Sequence, residues 1–274
     1  MSDMDPAYQE LPAVGPYDVK IGSALITMVD PQPGYELAYN RWYEDDHYYA
    51  GALAMPWLFA GRRWVAPPEL RALRRPANSA IADPVTAGRY ISLYWVIDGR
   101  REEHIAWSVA TNRRLRGDGR GFEHRDHVYT SFMRYLGATY RDASGPRDIH
   151  ALDYPYRGLV VEVVDALGSA SAELDALVVE RYIPDLHRAD VGVAQTLRFQ
   201  PQPLPKVFSD VADLPNLDRR LTLLHFLDRD PDDIGHFPDS ADRIAGIGTL
   251  EFLGAFIPTL PGSDEYVEGR SDAR

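Results

Sequence analysis

Short apolar blocks of strand length give way to helical spacing twice along this chain. In the first pass Ile21 to Val29 predicts a strand that stops at Asp30. After Pro31-Gln32-Pro33-Gly34, the run from Tyr35 to Tyr49 sets Tyr35, Ala38, Tyr39, Trp42, Asp45, Asp46 and Tyr49 at three- and four-residue spacings and predicts a helix. In the second pass Leu159 to Val164 predicts a strand ending at Asp165, and Gly168-Ser169 opens a helix from Ala172 to His187. Two more strands follow each helix: Phe59 to Val65 and Tyr90 to Asp98, then Ala194 to Phe199 and Leu221 to Asp228. Weaker helices (Glu102 to Arg116; Asp239 to Gly246) and closing strands (Phe132 to Arg141; Leu250 to Leu260) complete each half. The order β-α-β-β-α-β, twice, is an α+β chain of tandem ferredoxin-like units. Turn residues Ser144-Gly145-Pro146 and Pro155 mark a connector. The units are therefore drawn at 17–142 and 157–261, as halves of one body. Residues 1–16 and 262–274, polar, charged or proline-bearing, read as loose tails.

The two first helices also share a motif. Arg41-Trp42-Tyr43-Glu44-Asp45-Asp46-His47 returns as Arg181-Tyr182-Ile183-Pro184-Asp185-Leu186-His187, with arginine, aromatic, aspartate and histidine at matched offsets. The second copy lacks the tryptophan and carries Pro184, which is expected to break or kink its helix. A site, if one half has kept it, is expected in the first half.

Composition narrows the field. Lys+Arg number 29 against 41 Asp+Glu, a net charge of −12, which leaves no basic face for nucleic acid. No window offers the ~20 apolar residues of a membrane span, and Met1 to Tyr17 lacks the basic and apolar order of a secretory signal, so a cytoplasmic protein is expected. Cysteine is absent, which excludes disulfides, thiolate nucleophiles, Fe–S clusters and zinc–thiolate sites. No phosphate-binding glycine loop and no Gly-x-Ser-x-Gly elbow is present.

Asn40-Arg41-Trp42-Tyr43-Glu44-Asp45-Asp46-His47, followed by Pro56-Trp57-Leu58-Phe59-Ala60-Gly61-Arg62-Arg63-Trp64, resembles the W-Y-x-x-x-H … P-G-F-x-x-x-R-aromatic signature of the EthD-like group in the dimeric α+β barrel superfamily. The match departs at Trp57, where the pattern has glycine. The resemblance implies a pseudo-dimeric α+β barrel, here with both units fused, and leaves a homodimer of the fused chain open. It also implies a cofactor-independent lyase, cyclase or isomerase acting on a hydrophobic, oxygenated small molecule, aromatic or polyketide-like. Two alternatives stay open: a haem-dependent enzyme with His225, His187 or His47 as axial ligand, and a non-catalytic ligand-binding protein.

Side-chain chemistry assigns roles within that reading. His47, an imidazole near neutral pKa, is the expected general acid or base, with Asp46 or Asp45 tuning it and Arg41 pairing with Asp45. Tyr43 and Arg63 are expected to hydrogen-bond substrate oxygen, and Trp42 and Trp64 to wall the pocket. Tyr90 and Tyr94 alternate with Ile91 and Leu93, so their phenols share a face suited to a ligand. His187 and His225 are further candidates, His225 pointing to a barrel cavity or to solvent. Glu123-His124-Arg125-Asp126-His127 has metal-ligand spacing, yet its Arg- and Gly-rich setting reads as an exposed loop, and no metal site is expected.

Overall fold

The structure, a computed structural model, describes residues 18–204, 214–231 and 234–267. The first half contains strand β1 (Ile21–Pro31), helix α1 (residues 36–53), β2 (Leu58–Val65), the single turn α2 (Pro68–Arg71), β3 (Tyr90–Ile97), α3 (Arg101–Gly117) and β4 (Arg125–Tyr140). The second contains β5 (Gly158–Ala166), α4 (residues 171–188), β6 (Val193–Pro201), β7 (Arg220–Leu227), α5 (Ala241–Ile244) and β8 (Gly248–Pro258). All eight strands join one antiparallel barrel in the order β1-β3-β2-β8-β5-β7-β6-β4, closed between β4 and β1. The half-sheets meet where Trp64 and Val65 pair with Pro258 and Ile257, and where β4 from Met133 to Tyr140 pairs with β6. The β2–β8 seam is short, two residue pairs, so Leu58 to Arg63 are paired on the β3 side only.

Strand alternation divides the core into layers. One face of every strand fills the barrel, where Trp64 meets Phe226 edge-on and Trp95 stacks on Phe199. The long β2–β3 connection adds Ile81 and Ala82 to this interior, and the β4–β5 connection adds Leu152 and Tyr156. The barrel is therefore a packed core rather than a ligand chamber. The opposite faces carry the helices: Tyr39, Tyr43, Tyr90 and Tyr94 cluster under α1, and Leu174, Val178, Tyr182 and Leu186 seat α4 on β5 and β7.

Several elements depart from the sequence pattern, each for a local reason. Helix α1 is α-helical over Glu36–Trp42 but π-helical over Tyr43–Leu53, and α4 has a shorter π segment, Val178–Tyr182. Pro184 does not break α4, because it sits in the first turn of its last α-helical stretch, Ile183–Arg188, where a proline lacks no needed donor. β4 begins at Arg125, not Phe132, since Arg125 to Met133 is paired along β1 despite its polar residues. The helix expected over Asp239 to Gly246 shrinks to Ala241–Ile244. The tail after β8 is not loose: the Gly262 amide and the Tyr266 hydroxyl donate to Glu44, and Asp264 pairs with Arg41. The tails over 1–16 and 268–274 lie outside the described residues.

Trp57 explains its own departure from the motif. Its φ is +69°, the left-handed conformation that normally selects glycine. The tryptophan is held there by burial on Val96 and Ile97 and by the Arg100 guanidinium 4.2 Å from its ring.

Candidate active site

The cavity lies outside the barrel, between the first half-sheet and its own helices. An inner pocket of about 90 Å³ is bounded by Leu25, Thr27 and Val29 of β1, Tyr94 of β3, Thr130 and Phe132 of β4, Ala52 of α1 and Met55 beyond it. An outer cleft of about 610 Å³ opens from it between α1, α3 and residues 119–127. Trp42, His47, Asn112, Arg116, Arg125 and His127 wall both spaces. The cleft is within the ~300–1,000 Å³ of small-molecule sites, while the inner pocket is smaller than the ~150 Å³ that holds a benzene ring. A ligand's bulk thus belongs in the cleft, with only an edge or short group passing His47.

His47 is built into that threshold. Its ring stacks on Trp42 at 4.3 Å, and Tyr43 stands 5.7 Å away. Neither ring nitrogen has a hydrogen-bond partner among the described residues. A Cβ placed on Gly51 would lie 2.5 Å from Nδ1 and 2.7 Å from Cε1, so this imidazole edge rests on bare backbone and the Nε2–Cδ2 edge lies on the far side. Gly51→Ala is expected to push the ring off Trp42 at a cost of about 1–3 kcal/mol. Unchanged Trp42 fluorescence and unchanged urea unfolding would show that the glycine is not needed for the stack.

Electrostatics corrects one expectation: His47 does not sit near neutral pKa. Burial, then Arg125, hold its pKa down to about 3, against a smaller upward pull from Asp46. The resting side chain is a neutral imidazole. Asp46 does not hydrogen-bond it; its carboxylate pairs with Arg120, which lowers the Asp46 pKa. Arg41 pairs with Asp264 rather than Asp45.

His104 of α3, buried against Phe132, is likewise held down to about 4 by burial. Below the ~6.5 of an unfolded histidine, the unfolded chain takes up a proton that folded His104 and His47 refuse. The stability contributed by these neutral rings is complete above about pH 6.5 and is lost as pH falls toward 4. Urea unfolding from about pH 7 to pH 5 is expected to lose stability less steeply in His104→Leu than in the unaltered protein. Parallel pH profiles would remove His104 from that account.

The phenols form the floor. The Tyr43 hydroxyl donates to Ser92 at 2.7 Å and contacts the Tyr94 hydroxyl, and burial raises both pKa values, so both remain donors at neutral pH. Tyr94 and Tyr43 line the inner pocket. Tyr90 does not: its hydroxyl accepts from Asn40 at 3.0 Å and donates to Glu36 at 2.7 Å.

Other candidates are held elsewhere. Arg63, 4 % exposed, donates to Glu44 at 3.1 Å and to Asn40, with its guanidinium 4.1 Å from the Tyr90 ring and 4.6 Å from Tyr43, so it fixes α1 to β2 instead of reaching the cavity. Trp64 is 0 % exposed inside the barrel and walls neither of these two spaces. His225 faces neither barrel nor solvent. Thr196 contacts its Nδ1 at 2.8 Å and Glu162 its Nε2 at 3.2 Å, under α4, where Glu162 also accepts from Tyr182 and from the Ser240 amide. His187 lines neither of these two spaces, and burial lowers it to about 4.

Asn112 and Arg116 were not among the sequence candidates, and Arg125 and His127 were read only as part of an exposed loop with metal-ligand spacing. The reason is a bulge in β4: Met28 pairs with Tyr129 but Val29 with His127, so Val128 is extra. Parity flips there, and His127 joins Thr130 on the pocket side, Nδ1 to Oγ1 at 2.9 Å.

Comparison with solved structures agrees with this architecture. An anthrone oxidase-like protein superposes with a TM-score of 0.55 at 10% identity, over 88% of this chain and 92% of that one. The chain has the dimeric α+β barrel fold. A DypB variant from Rhodococcus jostii RHA1 in complex with heme matches with a TM-score of 0.48 at 12% identity, over 88% and 94% of the two chains. No family model and no curated protein matches. No helix among the described residues is long and apolar enough to cross a membrane.

The haem complex corrects the expectation of cofactor-free chemistry: this barrel does not imply it. Fit to such a group rests on the donors present. A metal-bound imidazole ordinarily donates its second N–H to a carboxylate or carbonyl. His47 has no such acceptor among the described residues. His127 Nε2 accepts from Arg125 at 3.4 Å, and both nitrogens of His225 are engaged under α4. Among the described residues no three metal-ligating side chains converge. None of His47, His127 and His225 has the arrangement of a haem-iron ligand, and no step is derived through one.

Proposed function

We propose that this chain is an enzyme that moves a proton on a small molecule with an apolar body and oxygen-bearing groups, chemistry of the isomerase, cyclase or lyase kind, at the threshold between cleft and inner pocket. The observation that carries this reading is His47: a neutral imidazole, unpartnered among the described residues, on the wall shared by an apolar pocket and an open cleft. The resemblance of Trp42-Tyr43 to His47 to the EthD-like signature supports the same placement.

His47 accepts the proton at Nε2 from a C–H or O–H at the pocket entrance and returns it to another atom of the same molecule. Arg125 opposes the imidazolium this creates. Proton removal leaves an oxyanion or enolate beside it, and that negative charge both offsets Arg125 and raises the basicity of the imidazole. Tyr94, kept protonated by burial, turns its hydroxyl hydrogen from Tyr43 to the same oxygen. Apolar walls from Leu25, Val29 and Phe132 keep water from competing.

The test is a mass-spectrometric screen of aromatic and polyketide-like hydroxy-ketones with the protein and with His47→Ala. Conversion that needs His47 supports the reading; equal conversion by a folded His47→Ala rejects it.

A further inference from the structure

The inner pocket differs in kind from the cleft it opens into. Every charged side chain that borders it also borders the cleft, whereas Leu25, Val29, Ala52, Met55 and Phe132 belong to the inner space alone. Its hydroxyls are turned on one another. Thr27 Oγ1 lies 2.8 Å from Thr130 Oγ1, which meets His127 Nδ1 at 2.9 Å. The Tyr43 hydroxyl donates to Ser92 at 2.7 Å and receives that of Tyr94, and Asn112 Nδ2 approaches Ser108 Oγ at 3.5 Å. A buried water needs two to four polar partners, and these groups already have theirs, so the space suits an apolar occupant.

Size narrows that occupant. A cavity of about 150 Å³ holds the six carbons of benzene, about 25 Å³ each. At about 90 Å³ the inner pocket holds about three or four carbons, a saturated chain rather than a ring. Two small-to-medium side chains bound its length: Ala52, which presents a single methyl group at the end of α1, and Met55 in the turn beyond, whose amide donates to the Ala52 carbonyl at 2.9 Å. Both are buried.

We propose that the inner pocket is a short-alkyl subsite: beside the carbonyl that meets Tyr94 the substrate carries a saturated chain of about three or four carbons, its length set by Ala52 and Met55. The rest of the molecule lies in the cleft. The first carbon of the chain then passes His47, so the hydrogen removed is the one next to the carbonyl. Its C–H bond breaks, the proton goes to Nε2 and the electron pair moves toward the carbonyl oxygen, giving an enolate. This rests on the proposed function, because it takes the reacting carbon to be the one at His47.

The test is calorimetry with 2-hydroxyphenyl n-alkyl ketones whose chain grows from methyl to hexyl. Affinity is expected to rise about fourfold per added methylene as far as propyl or butyl, and then to stop rising. Ala52→Leu, which places an isopropyl group in the pocket, is expected to bring the break down to methyl or ethyl. Met55→Ala is expected to move it outward by about two carbons. A uniform rise through hexyl, affinities indifferent to chain length, or no binding by any member overturns the proposal, as does a break that neither folded variant moves. If Ala52→Leu fails to fold, Met55→Ala decides. A break at the stated length without His47-dependent turnover rejects only the proposed function; His47-dependent turnover with no break rejects only this subsite.

Discussion

Turnover by His47→Ala is expected to fall about 10²–10⁴-fold, the usual worth of a positioned general base. The loss should appear in kcat more than in KM. His47 stacks on Trp42, while the outer cleft is lined mainly by α3 and residues 119–127. His47→Gln separates shape from proton transfer, since the amide fills much of the space over Gly51 but cannot accept and return a proton at neutral pH. It should be as slow as the alanine variant while binding ligand nearly as well. A glutamine variant with near-normal kcat would mean that the side chain only positions the substrate.

Glu44→Ala is expected to cost about 3–5 kcal/mol of folding stability, the largest structural effect in the first half. Arg63 is buried and relies on Glu44 as its carboxylate; removing that carboxylate strands a cation among the Tyr39, Tyr43 and Tyr90 rings. The Gly262 amide and Tyr266 hydroxyl lose their acceptor as well. The double replacement Glu44→Met, Arg63→Met removes both charges and should recover much of the loss. Urea denaturation of both variants reads this directly, and a double variant no more stable than Glu44→Ala would contradict the stranded-charge account.

The fold was legible because two periods, near two and near 3.6, alternate in the same order in both halves, and no tertiary interaction overrode them in the long runs. Polar positions were less legible. Tyr90 and Tyr94 share a face of β3, yet one is locked to Asn40 and Glu36 while the other reaches the pocket, a difference set by what α1 places above each. His225 looked like a ligand and is a packed partner of a fully buried glutamate. In the second half Tyr182 of α4 drops its hydroxyl onto Glu162, whereas in the first half Trp42 and His47 line the pocket with Leu25, Thr27 and Val29 of β1. The bulge at Val128 and the π-helical turn under His47 left no mark in the residue pattern, since both depend on partners distant in the chain.

The strap formed by residues 262–266 has a consequence for biosynthesis. Glu44, which neutralises Arg63 beneath the candidate site, receives two of its hydrogen bonds from Gly262 and Tyr266, and β2 gains its outer neighbour only from β8. During translation the amino-terminal half emerges first and must wait, with its β2 edge unpaired and its buried carboxylate short of donors, until the ribosome has delivered nearly all of the other half. The order of synthesis thus delays completion of the site to the last steps of folding.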